Sequence, residues 1–239
     1  MPTEMYKNLL GFPEDSLNEE FESPFPAGNR LNLIVDEVTT KFTERNDREY
    51  EKIAQICSSI FNSIRGNTAF FFPSYILRDS VYNILKNNSK DKMILEKPKL
   101  NKTDKEKLLE EFKKYKKKGA MLLGVTSGSF GEGIDLPGDL LKCVVVVGLP
   151  LSKPDLETKE LIKYYNQKFE KGIEYGYIMP AITKAMQNAG RCIRSETDKG
   201  VIVFMDKRYT WPIYNKYFPK DWNIKVSRDY VKDIKDFIG

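Results

Sequence analysis

The sequence has 239 residues, 41% hydrophobic and 12% aromatic, with a net charge of +5. That is enough apolar material for one large core or two small ones, and the mildly basic balance permits a polyanionic partner without requiring one. No histidine is present, and the three cysteines, Cys57, Cys143 and Cys192, are scattered with no C-x-x-C spacing; this excludes a zinc centre and any Ser/His or Cys/His catalytic pair, and no metal site is expected.

In chain order, residues 1–29 read as an irregular lead-in, proline- and acid-rich over "GFPEDSLNEEFESPFPAGN" (11–29). Met1-Pro2-Thr3 does not open a secretory signal, and no apolar stretch is long enough to span a membrane. The expectation is a soluble protein of the cytoplasm with its thiols reduced. Next comes a strand, "LNLIV" (31–35), then a helical pattern over 47–64 with Ile53, Ile56, Ile60 and Ile64 on one face. "TAFFF" (68–72), "KMILE" (92–96) and "AMLLGV" (120–125) are further strands, separated by helical patterns over 75–86 and 102–118. The lysine run "KKYKKK" (113–118) suits the solvated, electronegative end of a helix, with a nucleic-acid patch as the alternative. "CVVVVG" (143–148) and "VIVFM" (201–205) are strands, separated by an excursion over 150–180, read as a helical insertion, and a helical pattern over 181–195. "SRDYVKDIKDFIG" at the end reads as a terminal helix. Short, continuous apolar strands alternating with helices predict an α/β domain over 30–239, with a mostly parallel sheet covered by helices on both faces.

Nucleotide enzymes built on such sheets usually carry a phosphate loop, G-x-x-x-x-G-K-[ST]. No Gly-Lys pair occurs anywhere in this chain, so it is not expected to hydrolyse ATP alone. "LNLIVDE" (31–37) ends in two acids like a metal-binding strand, but no phosphate loop precedes it. Two other stretches carry chemistry. "GVTSGSFGEGIDLPG" (124–138) leaves a strand at the sheet edge where open α/β folds bind ligands, and its glycines would let backbone N–H groups approach a phosphate; a ligand-free turn is the alternative. "QNAGRCIRS" (187–195) places Arg191 and Arg194 at i and i+3, on one side of a continuing helix, beside Gly190.

Together these stretches resemble the second motor domain of superfamily 2 helicases. "TSGSFGEGIDLPG" (126–138), "QNAGRCIRSETDKGVIVFMDKR" (187–208) and "NTAFFFPSY" (67–75) resemble the XPD/DinG family, most closely archaeal XPD. "TTKFTERND" (39–47) and "ESPFP" (22–26) resemble the segments that precede its fourth motif, so the likeness covers roughly 20–235. It implies a RecA-like fold that lacks its own phosphate loop and works against an N-terminal motor lobe. In the family that first lobe holds most of the ATP and Mg site and carries the phosphate loop, the metal-binding acids and an iron–sulfur cluster bound by four cysteines; the loop, those acids and the cluster are not expected on this chain. The chain is then a fragment, or its partner lobe lies elsewhere.

The likeness assigns roles residue by residue. Arg191 and Arg194 would face the γ-phosphate of ATP as arginine fingers, with pairing to Glu196 and Asp198 as the competing possibility. Gln187 would couple the nucleotide to closure, Gly190 would permit tight packing where the lobes meet, and Glu132 and Asp135 would help hold the nucleotide. Ser127, Gly128 and Ser129 would contact a phosphate of single-stranded DNA, and Ser74 and Tyr75 would touch the tracked strand. Lys41 and Arg45 would face nucleic acid or pair on the surface, and Asp206 and Arg208 would tie the last strand to the C-terminal helix. The implied function is the second lobe of an ATP-dependent 5′→3′ DNA helicase in repair. A non-catalytic single-strand-binding module is the alternative.

Overall fold

Successive residues of an extended strand point to opposite faces, and here both faces are apolar. A computed structural model describes residues 3–19, 21–64, 66–131, 140–151 and 153–239. Seven strands form one sheet among these residues: β1 (Arg30–Val35), β2 (Thr68–Phe72), β3 (Met93–Leu95), β4 (Met121–Val125), β5 (Cys143–Val147), β6 (Gly200–Met205) and β7 (Lys225–Val226). Their order is β3-β4-β2-β5-β6-β1-β7, and every pairing is parallel.

On one face Leu33, Phe70, Phe72, Val145 and Val203 meet α2 (Asp47–Ser63), α3 (Tyr75–Asn88) and α8 (Tyr230–Ile238), through residues such as Ile53, Ile60, Leu77, Val81 and Ile234. On the other, Ile34, Phe71, Val144, Val146 and Phe204 meet α4 (Lys102–Lys114) and α6 (Met179–Ala189), through Phe112, Ile182 and Ala185. Side-chain caps fix where the helices start: Asn46 accepts from the Glu49 amide, Asn101 from Asp104, and Asp229 from Lys232. Each satisfies an amide that has no partner within its own helix.

The lead-in is not wholly irregular. Thr3–Leu10 forms helix α1, whose Met5 packs with Tyr175 and Met179. Within 150–180 the chain forms α5 (Leu156–Phe169), capped by Asp155, and a π-helical turn over Glu174–Ile178 that leads into α6. Helix α4 stops at Lys114, ahead of most of the lysine run. Between β6 and β7, α7 (Pro212–Asn215) is a single helical turn.

The expected helix over 181–195 also ends early. A short 3₁₀ turn (Gly190–Cys192) follows α6, and Ile193 is extended at φ −125° and ψ 118°. Asp198 draws the Arg194 and Ser195 amides away from helical acceptors, each at 2.8 Å, and the chain turns there into β6. Arg191 and Arg194 therefore do not share a helix face. No described helix is long and apolar enough to cross a membrane.

Candidate nucleotide and nucleic-acid interface

Parallel strands deliver their loops to a common carboxyl edge, and most of the sequence-predicted residues lie there. Beyond β2, Ser74 caps α3 by accepting from the Leu77 amide at 3.3 Å. Tyr75 is half-buried, and its hydroxyl donates to Glu96 Oε1 at 3.3 Å. Burial raises its pKa, and the Glu96 carboxylate beside it adds to the rise. The Arg78 guanidinium lies 4.8 Å from the centre of the Tyr75 ring, donates to the Glu96 carbonyl and pairs with Asp79 at 2.6 Å. Both predicted strand contacts thus also have partners within the lobe.

Glu96 follows β3 and is wholly buried. Its carboxylate accepts the Val125 amide at 2.8 Å and the Phe130 amide at 3.1 Å. Two glycines make room for it: a Cβ on Gly128 would lie 2.2 Å from Oε1, and one on Gly124 would lie 3.0 Å from Oε2. The sequence carried this residue only as an acid closing an apolar strand, "KMILE", and the glycines opposite it are the signal that pairs with it.

The loop after β4 starts with Thr126, whose hydroxyl donates to the Phe72 carbonyl at 2.9 Å. Ser127 is exposed and accepts from Lys184 of α6 at 3.0 Å, whereas Gly128 and Ser129 are half-buried. Glu132 and Asp135 lie outside the described residues. Helix α6 runs along this loop: Asn188 Nδ2 donates to the Thr126 carbonyl at 3.2 Å, and the Arg191 guanidinium donates to the Gly131 carbonyl. Arg191 is buried, while Gln187, Gly190 and Arg194 are exposed. Among the described residues a Cβ on Gly190 would meet nothing within 4 Å, and its φ of −62° is open to any residue; packing against those residues does not call for a glycine there. Of the two acids expected to compete for the arginines, Glu196 and Asp198, the second accepts the backbone amides of Arg194 and Ser195.

Lys41 and Arg45 sit apart, on the loop after β1, with β5 and β6 between that strand and β2. Lys41 pairs with Glu44 at 3.5 Å, and Arg45 Nε donates to the Thr40 carbonyl at 2.8 Å while its guanidinium lies over the exposed Phe42 ring. Asp206 corrects the expected tie to the C-terminal helix. Its carboxylate accepts the Thr40 amide at 2.7 Å and pairs with Arg208 at 2.8 Å, while Arg208 also donates to the Thr40 hydroxyl. The end of β6 is therefore tied to the loop after β1, its neighbour in the sheet. Burial opposes ionisation of Asp206, but the Arg208 hydrogen bonds and charge outweigh it and hold the carboxyl below its ordinary pKa. Among the described residues no group of three or more Cys, Asp or Glu side chains is placed as metal ligands would be.

The helicase C-terminal domain model matches residues 57–225. A probable ATP-dependent helicase of Methanocaldococcus jannaschii is 33% identical over 231 residues, covering 89% of this chain and 33% of the relative. The ATP-dependent DNA helicase XPD of Sulfolobus acidocaldarius is 27% identical, covering 87% of this chain and 37% of the relative. The chain thus spans about a third of the length of these relatives. Among solved structures, an XPD helicase superposes with a TM-score of 0.65 at 27% identity, over 78% of this chain and 33% of that one. The C-terminal domain of the DEAD-box protein Dbp5 shares the fold at a TM-score of 0.53 and 15% identity. Sequence, sheet topology and solved relatives agree: the chain belongs to the helicase C-terminal domain family, is of the XPD/DinG type, and has the RecA-like fold.

Proposed function

We propose that this chain is the second motor lobe of an ATP-dependent 5′→3′ DNA helicase of XPD type, acting in DNA repair. Its partner would be an N-terminal lobe that holds ATP and Mg, and the family's iron–sulfur cluster would also lie there. One observation carries this assignment: Gln187 near the end of α6, Gly190 just after it and Arg194 beyond the following turn are all exposed, beside a glycine-rich loop, and none of the described residues packs closely enough on Gly190 to require a glycine.

The two arginines divide the work. Arg194, exposed, is the finger that reaches the triphosphate and stabilises charge spreading over the transferring phosphoryl oxygens. Arg191, buried against the Gly131 carbonyl, positions the loop and through it the finger. Gln187 senses the nucleotide from the same face, and Glu132 and Asp135 hold it. On the carboxyl edge, Ser127, Gly128 and Ser129 take a phosphate of single-stranded DNA, and Ser74 and Tyr75 the tracked strand. Lys41 and Arg45 extend this face. A lone lobe offers half a groove, so contacts confined to the DNA backbone should be weak and salt-dependent. Closure of the two lobes over ATP and their release after hydrolysis would move the grip along the strand.

Complementation tests the assignment. The chain alone should show no ATPase, and a supplied first lobe of an XPD-type helicase should restore DNA-stimulated hydrolysis. Arg194→Ala should lower that rate by about 10³ or more while single-strand binding persists. Turnover by the chain alone, or an Arg194→Ala variant that still complements, would refute it. Strong single-strand binding indifferent to the added lobe and to nucleotide would favour a non-catalytic binding module.

A further inference from the structure

Three segments of the carboxyl edge meet at one buried carboxylate. Glu96 leaves β3, crosses β4 through the space opened by Gly124 and Gly128, and reaches Tyr75 at the start of α3. On the way it accepts the Val125 and Phe130 amides, the two ends of the turn that carries Ser127, Gly128 and Ser129. One residue beyond Phe130, the Gly131 carbonyl accepts from Arg191. An unbroken path therefore runs from the Tyr75 hydroxyl through Glu96 and the turn to the arginine beside the nucleotide-facing end of α6. A wholly buried carboxylate that holds two backbone amides and a phenol is a costly group to place in a core unless every partner is kept.

We propose that Glu96 is a positioning residue: it fixes the conformation of the Val125–Phe130 turn, and with it the single-stranded DNA contact made by that turn and by Tyr75. The inference rests on the DNA face assigned above. Glu96 itself touches no DNA; its carboxylate is buried and its bonds are spent inside the lobe. Arg78 secures it from behind, through its bond to the Glu96 carbonyl and its stacking on Tyr75. Gly128 is required because any side chain there would occupy the carboxylate's place.

Two substitutions disturb the carboxylate from opposite sides. Glu96→Gln keeps its shape but turns one acceptor oxygen into a donor facing other donors, and Gly128→Ala leaves Glu96 intact but intrudes on Oε1. Both are to be made in the full 239-residue chain, with retention of fold checked by circular dichroism. The measurements are amide hydrogen exchange over 125–130 and binding to a fluorescent oligo-dT at low salt. Each variant is expected to exchange about ten-fold faster at Val125 and Phe130 and to bind the oligonucleotide about ten-fold more weakly. The double variant should be little worse than either single one, because both remove the same restraint. Glu96→Asp, if it folds, should recover part of the loss. Unchanged exchange in both variants would overturn the proposal, as would faster exchange with unaltered affinity. If the unsubstituted chain binds no oligo-dT, the DNA face itself is wrong, and that shows before any variant is made; the inference then falls with it.

Discussion

At the scale of single residues, the buried charges decide most. Asp206 is wholly buried, and its carboxylate is matched by Arg208, the Thr40 amide and the Thr39 and Thr40 hydroxyls. Because folding lowers its pKa, its contribution to stability is in full effect above the unfolded value, near 4, and fades as pH falls through the lower folded value. Asp206→Asn should leave the Arg208 guanidinium buried without its counter-charge, at a cost of about 3–5 kcal/mol. Urea denaturation at neutral pH reads that loss, and the same titration below pH 4 should show the two proteins converging. A loss under 1 kcal/mol at neutral pH would mean that the pair is not what joins β6 to the loop after β1. The motif residues were legible from their spacing, yet their surroundings were not. Arg191 and Arg194 look equivalent in "GRCIR", but one is buried and the other exposed because α6 ends ahead of both, at Ala189, and the chain turns extended at Ile193 between them. Glu96 escaped notice because its partners are 21, 29 and 34 residues away in the chain, and no local pattern announces them.

Elements were read well where periodicity and caps agreed. The six longer apolar strands and helices α2 and α3 fall close to their expected bounds, since continuous β-branched runs suit a sheet covered on both faces. Strand β7 went unseen because it is two exposed residues with no apolar run. Helix α1 was missed because the acid- and proline-rich segment after it dominates the composition of the lead-in. The overrun at 181–195 has a different origin: helical spacing of side chains persisted past the point where Asp198 captures the Arg194 and Ser195 amides. Caps also give the element-scale prediction. Ser74 starts α3 through its bond to the Leu77 amide, so Ser74→Ala should cost about 1 kcal/mol of stability, whatever it does to DNA affinity. Thermal unfolding measures this, and Ser74→Asp, which keeps a cap, should recover it while opposing a DNA phosphate. A variant as stable as the unsubstituted chain would show that the cap is dispensable.

For the molecule as a whole, two apolar layers close over one sheet and leave the thiols no access to solvent. Cys57, Cys143 and Cys192 are all buried, and burial pushes all three upward in pKa, Cys192 to about 12. A thiol in that state offers almost no thiolate at neutral pH. Alkylation at pH 8 should therefore be slow at all three positions, and it should accelerate together across the denaturant transition. Selective labelling of one cysteine under native conditions would reveal local opening beside it. The sheet's margins have a consequence for assembly. Its outermost strands are its shortest, Met93–Leu95 on one side and Lys225–Val226 on the other, and the second presents a lysine pinned to Asp233. Such truncated, charged borders give a neighbouring polypeptide little main chain to zip onto. Any companion body must then dock through loop tips and side chains, a joint that can part and reform as the two bodies rock.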